Sequence, residues 1–112
     1  MSQSVQQAVE QRLAKRLPSS RPVTIISGKQ SLYAIMTDFS KHGIGLIADV
    51  PLDVNQRIEI HFDIPANKTL QCFQFKAEVK HCIELHEQRH IGLKLDFPTQ
   101  AYLSLYESLA AA

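Results

Sequence analysis

The fold is decided by residues 56–80, QRIEIHFDIPANKTLQCFQFKAEVK, in which two runs of alternating apolar and polar side chains flank a short turn. Alternation at every second residue is the pattern of a β-strand that buries one face. Residues 65–68, Pro-Ala-Asn-Lys, are typical of a chain reversal. The pattern therefore predicts two consecutive strands, over 56–64 and 70–85. The predicted buried positions are Ile58, Ile60, Phe62, Phe73, Phe75, Ala77 and Val79.

Four further β-rich runs flank these two strands. They cover residues 23–27, 32–38, 44–50 and 91–97, and turn-forming residues separate them. Consecutive strands with short connections, and with no helix between them, favour an antiparallel sheet closed into a small barrel. We therefore predict a mainly β fold, built on a six-stranded antiparallel barrel.

Both ends of the chain have apolar residues at helical spacing. In residues 4–17 an apolar side chain recurs at every fourth position, which predicts a helix that Pro18 ends. Thr99 can cap a second helix. Its apolar face would comprise Tyr102, Leu105, Tyr106 and Leu109. The prediction is an N-terminal arm, helical or flexible, over residues 1–21, and a barrel with a C-terminal helix over residues 22–112.

Length and composition favour one compact cytoplasmic domain. The chain has 112 residues, of which 45% are apolar, and no run approaches the ~20 apolar residues that span a bilayer. We therefore expect no membrane insertion, and the N-terminus lacks the basic and apolar regions of a secretory signal. Cys72 and Cys82 lie ten residues apart on one extended run. At ~3.3 Å per residue they are too distant for a disulfide, so both are expected to be reduced thiols on the polar face.

The charges are divided unevenly between the arm and the barrel. Residues 1–21 hold four basic side chains against Glu10, a net +3, whereas residues 22–112 hold eight basic and ten acidic ones, a net −2. A basic arm on a slightly acidic body indicates an anionic partner that is met mainly through the arm. The pattern does not indicate a general binder of DNA or RNA, whose basic patches are broader.

The motifs of common enzyme classes are absent from the sequence. It has no GxSxG elbow, no P-loop and no GxGxxG stretch. His86 and His90 have HxxxH spacing, but across a predicted hairpin and without a third ligand in register. We therefore expect neither an enzyme nor a metal site.

Two short motifs carry the functional signal. Arg12 and Arg16 form RxxxR, and on a helix they would be like-charged neighbours that an anionic ligand relieves. Guanidinium groups also fork onto phosphate oxygens and bind guanine bidentately. Asp38, Ser40 and Gly43 form DxSxxG at a strand end. There a carboxylate can accept from guanine N–H donors, a hydroxyl can bond a base, a phosphate or its own turn, and glycine permits close approach.

Together, in this order and ahead of a β-barrel pattern, the two motifs resemble the PilZ domain. The resemblance continues in residues 40–46 (SKHGIGL), 75–81 (FKAEVKH) and 90–95 (HIGLKL), and extends from Arg12 to the C-terminus. It departs from the family in residues 17–21, which separate the second arginine from the first barrel strand. Arg21 is therefore a candidate to share or replace the role of one motif arginine.

The resemblance implies a bacterial receptor for the second messenger cyclic di-GMP, with no other cofactor. Arg12 and Arg16 would grip guanine and phosphate, Asp38 and Ser40 would bind a guanine edge, and Gly43 would permit the approach. The ligand would order the arm, and an unidentified effector protein in motility, biofilm or exopolysaccharide control would respond. Whether one dinucleotide or an intercalated pair binds is open, as is the choice between a monomer and a weak dimer.

Two other functions remain as alternatives. The first is a degenerate PilZ-type module that binds protein partners only, in pilus assembly or motility, without nucleotide. The second is a small barrel that binds single-stranded nucleic acid. Such a groove exposes aromatic side chains on basic strands, whereas Phe73 and Phe75 fall on the apolar face, so we expect no DNA or RNA partner.

Overall fold

Seven strands and a C-terminal helix make up residues 15–111, the part of the chain that this computed structural model describes. The strands are β1 (Leu17–Pro18), β2 (Pro22–Ser27), β3 (Gln30–Phe39), β4 (Gly43–Ala48), β5 (Arg57–Ala66), β6 (Thr69–Leu85) and β7 (Gln88–Leu95), and the helix is α1 (Gln100–Ala111). All six strands expected from the sequence are present, so the mainly β prediction is confirmed.

Six of the strands close into an antiparallel barrel. The order is β3-β2-β5-β6-β7-β4, and β4 returns to pair with β3. The short strand β1 pairs with the C-terminal end of β3, beyond the part that pairs with β2, through the pairs Leu17–Phe39 and Pro18–Asp38. Because a closed sheet pairs almost every strand on both sides, its inward side chains form one continuous core.

The core is the set of side chains that alternation predicted, joined by the helix. Ile60 faces Phe75 and Ile58 faces Ala77 across the β5–β6 ladder, and all seven predicted positions are buried. Tyr102 of α1 meets the rings of Phe73 and Phe75 edge-on, at centroid distances of 5.4 and 5.1 Å. The helix therefore closes one end of the barrel with aromatic contacts.

The helix begins as the sequence predicts. The Tyr102 N–H donates to the Thr99 hydroxyl at 3.2 Å, which is the expected cap. Tyr102, Leu105 and Tyr106 are buried along one face. The Tyr102 hydroxyl donates to the Ser40 carbonyl at 2.7 Å, and the Tyr106 hydroxyl donates to the Lys15 carbonyl. The helix thus holds two segments outside the barrel strands: the residues before β1, through Lys15, and the turn after β3, through Ser40.

The predicted N-terminal helix does not extend to Leu17. Residues 4–14 of that prediction, including Arg12, lie outside the described residues. Leu17 instead belongs to β1, where its side chain is buried in the core, and Pro18 stands on the outer edge of the sheet, where a missing N–H is tolerated. The last residue of the four-residue repeat, Leu17, is therefore a core residue of the barrel and not part of a helix.

Two irregularities interrupt the pairing on one side of the barrel. One lies in β3 between Met36 and Asp38, and the other in β6 between Val79 and His81. A bulge inserts an extra residue and changes which face the following side chains take. As a result Cys82 is half-buried against the core rather than on the polar face, which corrects the prediction for this thiol, while Cys72 is exposed as expected. Both thiols are free.

None of the helices within residues 15–111 has the length and apolar character needed to span a bilayer.

Candidate ligand-binding site

A transverse row of four residues crosses the outer face of the barrel next to the DxSxxG turn. Asp38 of β3 stands opposite Gly45 of β4, Gly45 stands opposite Gly92 of β7, and Gly92 stands opposite His81 of β6. The two central positions have no side chain, so the row forms a trough with a polar group at each end. Its outer members, Asp38 and His81, directly follow the two bulges.

The two glycines are the floor of this trough, and the flanking side chains lean over them. A Cβ atom on Gly45 would lie 2.5 Å from Oδ1 of Asp38, and one on Gly92 would lie 2.1 Å from Cε1 of His81. Real Cβ atoms do not approach other heavy atoms so closely. The Asp38 carboxylate and the His81 ring can lie over the floor only because both residues are glycine, and a flat ligand ring reaches the backbone there when these two side chains move aside.

The trough opens into a cleft whose volume is about 510 Å³, which is within the ~300–1,000 Å³ of small-molecule sites. Arg16 and Lys80 bring positive charge to its rim, and His81 and His90 add imidazole rings. Asp38 is its acidic lining residue. This lining favours an anion that also presents hydrogen-bond donors to a carboxylate.

Arg16 and Asp38 form an ion pair at the mouth of the cleft. Nη2 of Arg16 lies 2.8 Å from Oδ1 of Asp38, and both side chains are partly exposed. Such a pair contributes only ~0.2–1 kcal/mol to stability, so a ligand can compete for either member. Nη1 of Arg16 lies 3.5 Å from the place that a Cβ of Gly43 would occupy. That is an ordinary contact distance, so the guanidinium lies beside Gly43, whose tighter neighbour is the Leu93 carbonyl at 3.2 Å.

Ser40 is directed into its own turn. Ser40 is only 4% exposed. Its N–H donates to the Gly43 carbonyl at 2.9 Å, and its hydroxyl lies 3.5 Å from the same oxygen. Its own carbonyl accepts from Tyr102 of α1. Burial raises the pKa of Tyr102, and the nearby charge of Arg16 opposes this rise only in part. The phenol is therefore a neutral donor that holds the turn beside Arg16.

The structure brings three of the five predicted site residues to one place. Arg16 and Asp38 line the cleft, and Gly43 lies under the Arg16 guanidinium. Ser40 lies behind them in the turn, and Arg12 is outside the described residues. Arg21 does not line this cleft: its Nε donates to the Asp63 carbonyl at 3.4 Å, and it borders a separate groove beside Leu109.

Several lining residues were not predicted as site residues. Strand register and the two bulges, rather than spacing along the chain, bring them to the cleft. Gly45, His81 and Gly92 lie within the three stretches that carried the family resemblance, and this was the available signal. The unpredicted lining residues with polar side chains, or with none, are Thr37, Gly45, Lys80, His81, His90 and Gly92.

The HxxxH pair does not form a metal centre in the described part of the chain. His86 lies in the β6–β7 turn, whereas His90 lines the cleft. No group of three or more His, Cys, Asp or Glu side chains suited to a metal ion occurs within residues 15–111.

Comparison with known proteins identifies the family of this chain. The family model for the PilZ domain matches residues 10–111. This chain belongs to the PilZ family. No curated protein sequence matches it significantly, so the individual relatives below are structural ones.

Three solved structures share the fold of this PilZ protein at low sequence identity. The inhibitor of motility MotI/DgrA from Bacillus subtilis has a TM-score of 0.73 at 16% identity, over 86% of this chain and 49% of that one. The PilZ domain of YcgR from Escherichia coli, solved with c-di-GMP, has a TM-score of 0.67 at 11% identity, over 85% of each chain. PlzA from Borreliella burgdorferi, in complex with c-di-GMP, has a TM-score of 0.61 at 10% identity, over 98% of this chain and 55% of that one.

The chain thus spans about half the length of MotI/DgrA and of PlzA. At these identities the three neighbours establish the fold of the barrel. The bound c-di-GMP in two of them is a property of those proteins.

Proposed function

We propose that this PilZ protein is a receptor for cyclic di-GMP and that the ligand lies across the glycine floor between Asp38 and His81. The observation that carries the proposal is the Asp38–Gly45–Gly92–His81 row with Arg16 at its mouth. It offers a carboxylate, a guanidinium and, beneath the movable Asp38 and His81 side chains, a backbone floor without side chains of its own. Two structural neighbours that were solved with c-di-GMP support the choice of ligand.

Each group has a partner in the chemistry of a guanine dinucleotide. The Asp38 carboxylate accepts from the N1–H and N2–H₂ donors of guanine, which adenine lacks. Arg16 forks onto a phosphate or a guanine Hoogsteen edge. The ligand would therefore replace the existing Arg16–Asp38 contact with two contacts of its own. Arg12 is the proposed second cation, and Ser40 and Gly43 shape the turn that presents Asp38.

The proposed output is signalling rather than catalysis. In this proposal the protein is an adapter in the cytoplasm, and ligand binding changes how residues 1–21 contact the barrel, which an effector protein then detects. Leu17 and Pro18 are already paired with β3, and the Ser19 N–H donates to the Thr37 carbonyl at 2.9 Å. The change should therefore concern mainly the residues that precede β1.

Calorimetry with matched arginine variants tests the ligand assignment. We expect Arg16→Ala to weaken cyclic di-GMP binding by at least about tenfold, since charge-assisted contacts contribute ~1.5–3 kcal/mol. Arg21→Ala is the control, because it removes the same charge from the same segment but outside the cleft. Equal affinity of Arg16→Ala and the wild type would contradict the proposal.

The base analogue tests the role of Asp38 separately. Wild-type protein should prefer cyclic di-GMP to cyclic di-AMP, and Asp38→Ala should lose most of that preference. If the wild type binds both dinucleotides equally well, Asp38 only forms the turn. If it binds neither, and neither GMP nor an oligonucleotide, the protein-interaction module without nucleotide becomes the better function.

Hydrogen exchange tests the arm. Amides of residues 5–14 should exchange more slowly in the presence of saturating cyclic di-GMP, because a ligand can shift an equilibrium only through contacts that differ between its two states. Amides of β5 and the first half of β6 serve as the internal reference, since they lie on the other side of the barrel. Equal exchange of residues 5–14 with and without ligand would mean that a different segment carries the conformational change to the effector protein.

A further inference from the structure

Strand β6 continues past the end of its neighbour β5 and leaves an open edge. The β5–β6 ladder ends at the pair Arg57–Glu78. Beyond it, the Asn55 N–H donates to the Val79 carbonyl at 2.7 Å, and the Val79 N–H donates to the Gln56 carbonyl at 2.9 Å. Asn55 has a φ of 72° and lies in a turn in which the Gln56 N–H donates to the Asp53 carbonyl at 3.0 Å. Among the described residues, His81–Leu85 then pairs with β7 alone.

The geometry of the hairpin determines which backbone groups face this edge. Leu85 pairs with Gln88, and the two turn residues His86 and Glu87 both have positive φ, at 51° and 66°. This is the twist of a two-residue hairpin turn. In antiparallel ladders alternate residues direct N–H and C=O to opposite sides. Positions 81, 83 and 85 therefore use these groups on β7, whereas Cys82 and Glu84 direct theirs to the open edge.

The side chains along this segment are unusually apolar for an open edge. Ile83 is 51% exposed and Leu85 is 50% exposed, and both share the outer face with His81. The one acidic residue, Glu84, is partly neutralised by Arg89 at 3.4 Å. Open edges normally carry charges or irregularities that prevent pairing with another strand. Here the segment keeps both unpaired backbone groups and apolar side chains.

We propose that this edge pairs with the same edge of a second copy of the chain, as an antiparallel two-fold dimer centred on Ile83. The free segment 81–85 is bounded by the Asn55 contact at one end and by the hairpin turn at the other, and Ile83 is its middle residue. A two-fold axis at Ile83 therefore matches the two segments over their whole length. An isologous contact of this kind is the commonest form of dimer.

One register satisfies all the exposed groups. Cys82 faces the partner's Glu84, and Glu84 faces the partner's Cys82, so that four backbone hydrogen bonds form. Ile83 meets the partner's Ile83 on the outer face, and His81 meets the partner's Leu85. Because His81 also lines the cleft, the second copy would lie directly beside the ligand site.

The interface is small, and the dimer should be correspondingly weak. One short strand on each side buries far less than the ~1,200–2,000 Å² of stable complexes. We therefore expect a dissociation constant in the micromolar to millimolar range. Length match and self-complementarity favour a second copy over an extended segment of another protein. Such a segment could pair with the same backbone groups, but its length would not be matched to that of this edge.

Sedimentation velocity on the full chain, under reducing conditions and across that concentration range, tests the dimer. Ile83→Lys and Ile83→Glu should each be monomeric, because like charges would face each other across the axis. An equimolar mixture of the two variants should associate again. Leu70→Lys is the matched control: Leu70 lies on the same strand and is 58% exposed, but it pairs with Pro65 and lies outside the segment 81–85.

A cross-link tests the register independently. In the proposed pairing Ile83 and the partner's Ile83 form a non-hydrogen-bonded pair, with Cα atoms ~4.5 Å apart, which suits a disulfide. Ile83→Cys with Cys72→Ser and Cys82→Ser should form a disulfide-linked dimer on mild oxidation, and Leu70→Cys in the same background should not. Wild-type protein that stays monomeric at millimolar concentration, or an unchanged dimer in Ile83→Lys, would overturn the proposal.

Discussion

At the scale of single residues, the site depends on what is missing as much as on what is present. Gly45 and Gly92 face each other across two strands, and Asp38 and His81 occupy the space above them. A side chain at either glycine would displace Asp38 or His81 without disturbing the inward core, because both positions point outward. These glycines are therefore functional in the proposed receptor rather than required for the barrel.

Gly92→Ala should lower cyclic di-GMP affinity by about tenfold, or ~1.4 kcal/mol, while the protein stays folded. The new methyl group would occupy the place of the His81 ring. Because that ring is exposed, it can move aside, but the methyl group would then cover the Gly92 backbone permanently. Calorimetry measures the affinity, and thermal denaturation should show a melting temperature no lower than that of the wild type. Unchanged affinity would mean that the ligand does not use this floor.

Among the predicted site residues, those that the structure brings together are the ones whose chemistry and spacing are local. Asp38 and Gly43 belong to one turn, and Arg16 reaches them because β1 aligns with β3. His81 was not predicted as a site residue because its outward orientation depends on the bulge after Val79, and Gly92 was not predicted because strand pairing alone brings it opposite His81. A bulge reverses the in–out alternation, and no residue type in that stretch marks its position.

At the scale of elements, α1 links the core to the DxSxxG turn through one hydroxyl group. Tyr102 is fully buried among the rings of β5 and β6, yet its hydroxyl reaches the Ser40 carbonyl at 2.7 Å. The sequence predicted the helix, its cap and its apolar face. It did not predict this bond, since nothing in the spacing of two distant segments indicates a contact between them.

Tyr102→Phe should lower the free energy of unfolding by ~1–2 kcal/mol at neutral pH, because the buried Ser40 carbonyl loses its donor. The same change should also reduce the loss of stability at alkaline pH. Burial raises the pKa of Tyr102 in the folded state, whereas in the unfolded chain a tyrosine ionises near ~10. The contribution of Tyr102 is thus complete below that value and declines as the pH rises above it.

Urea denaturation of both proteins between neutral and strongly alkaline pH measures this effect. The difference in stability between wild type and Tyr102→Phe should narrow above the unfolded-state pKa. Tyr106→Phe is a useful comparison, since Tyr106 lies on the same helix face but bonds the Lys15 carbonyl instead. A constant difference at all pH values would mean that Tyr102 does not titrate on unfolding.

The helix predicted over residues 4–17 shows why element prediction failed at its C-terminal boundary. Leu13 and Leu17 continue a four-residue repeat, which is typical of a helix. The structure uses Leu17 as a core residue of β1 because its pairing with Phe39 covers the end of the barrel. Burial of Leu17 in the core therefore overrides the helical spacing. Pro18 indicated where a helix must end, but nothing in the sequence indicated that Leu17 belongs to a strand.

At the scale of the whole molecule, two surfaces of different chemistry lie side by side on the β6–β7 hairpin. The cleft presents Arg16 and Lys80 and is proposed to bind a dianion. The open edge presents backbone groups, Ile83 and Leu85, and is proposed to bind a second copy. His81 belongs to both surfaces, so ligand binding and dimerisation share one residue. The two equilibria nevertheless depend on different forces.

Salt should therefore separate the two equilibria. Exposed charges are screened over a Debye length of ~10 Å at 0.1 M salt and only ~3 Å at 1 M, so cyclic di-GMP affinity should fall about tenfold across that interval. The dimer rests on backbone hydrogen bonds and apolar contact, and its dissociation constant should rise by less than about twofold. Calorimetry of the monomeric Ile83→Lys variant and sedimentation of the ligand-free wild type measure each equilibrium alone. A dimer as salt-sensitive as the ligand would show that charges, rather than the strand edge, hold the two copies together.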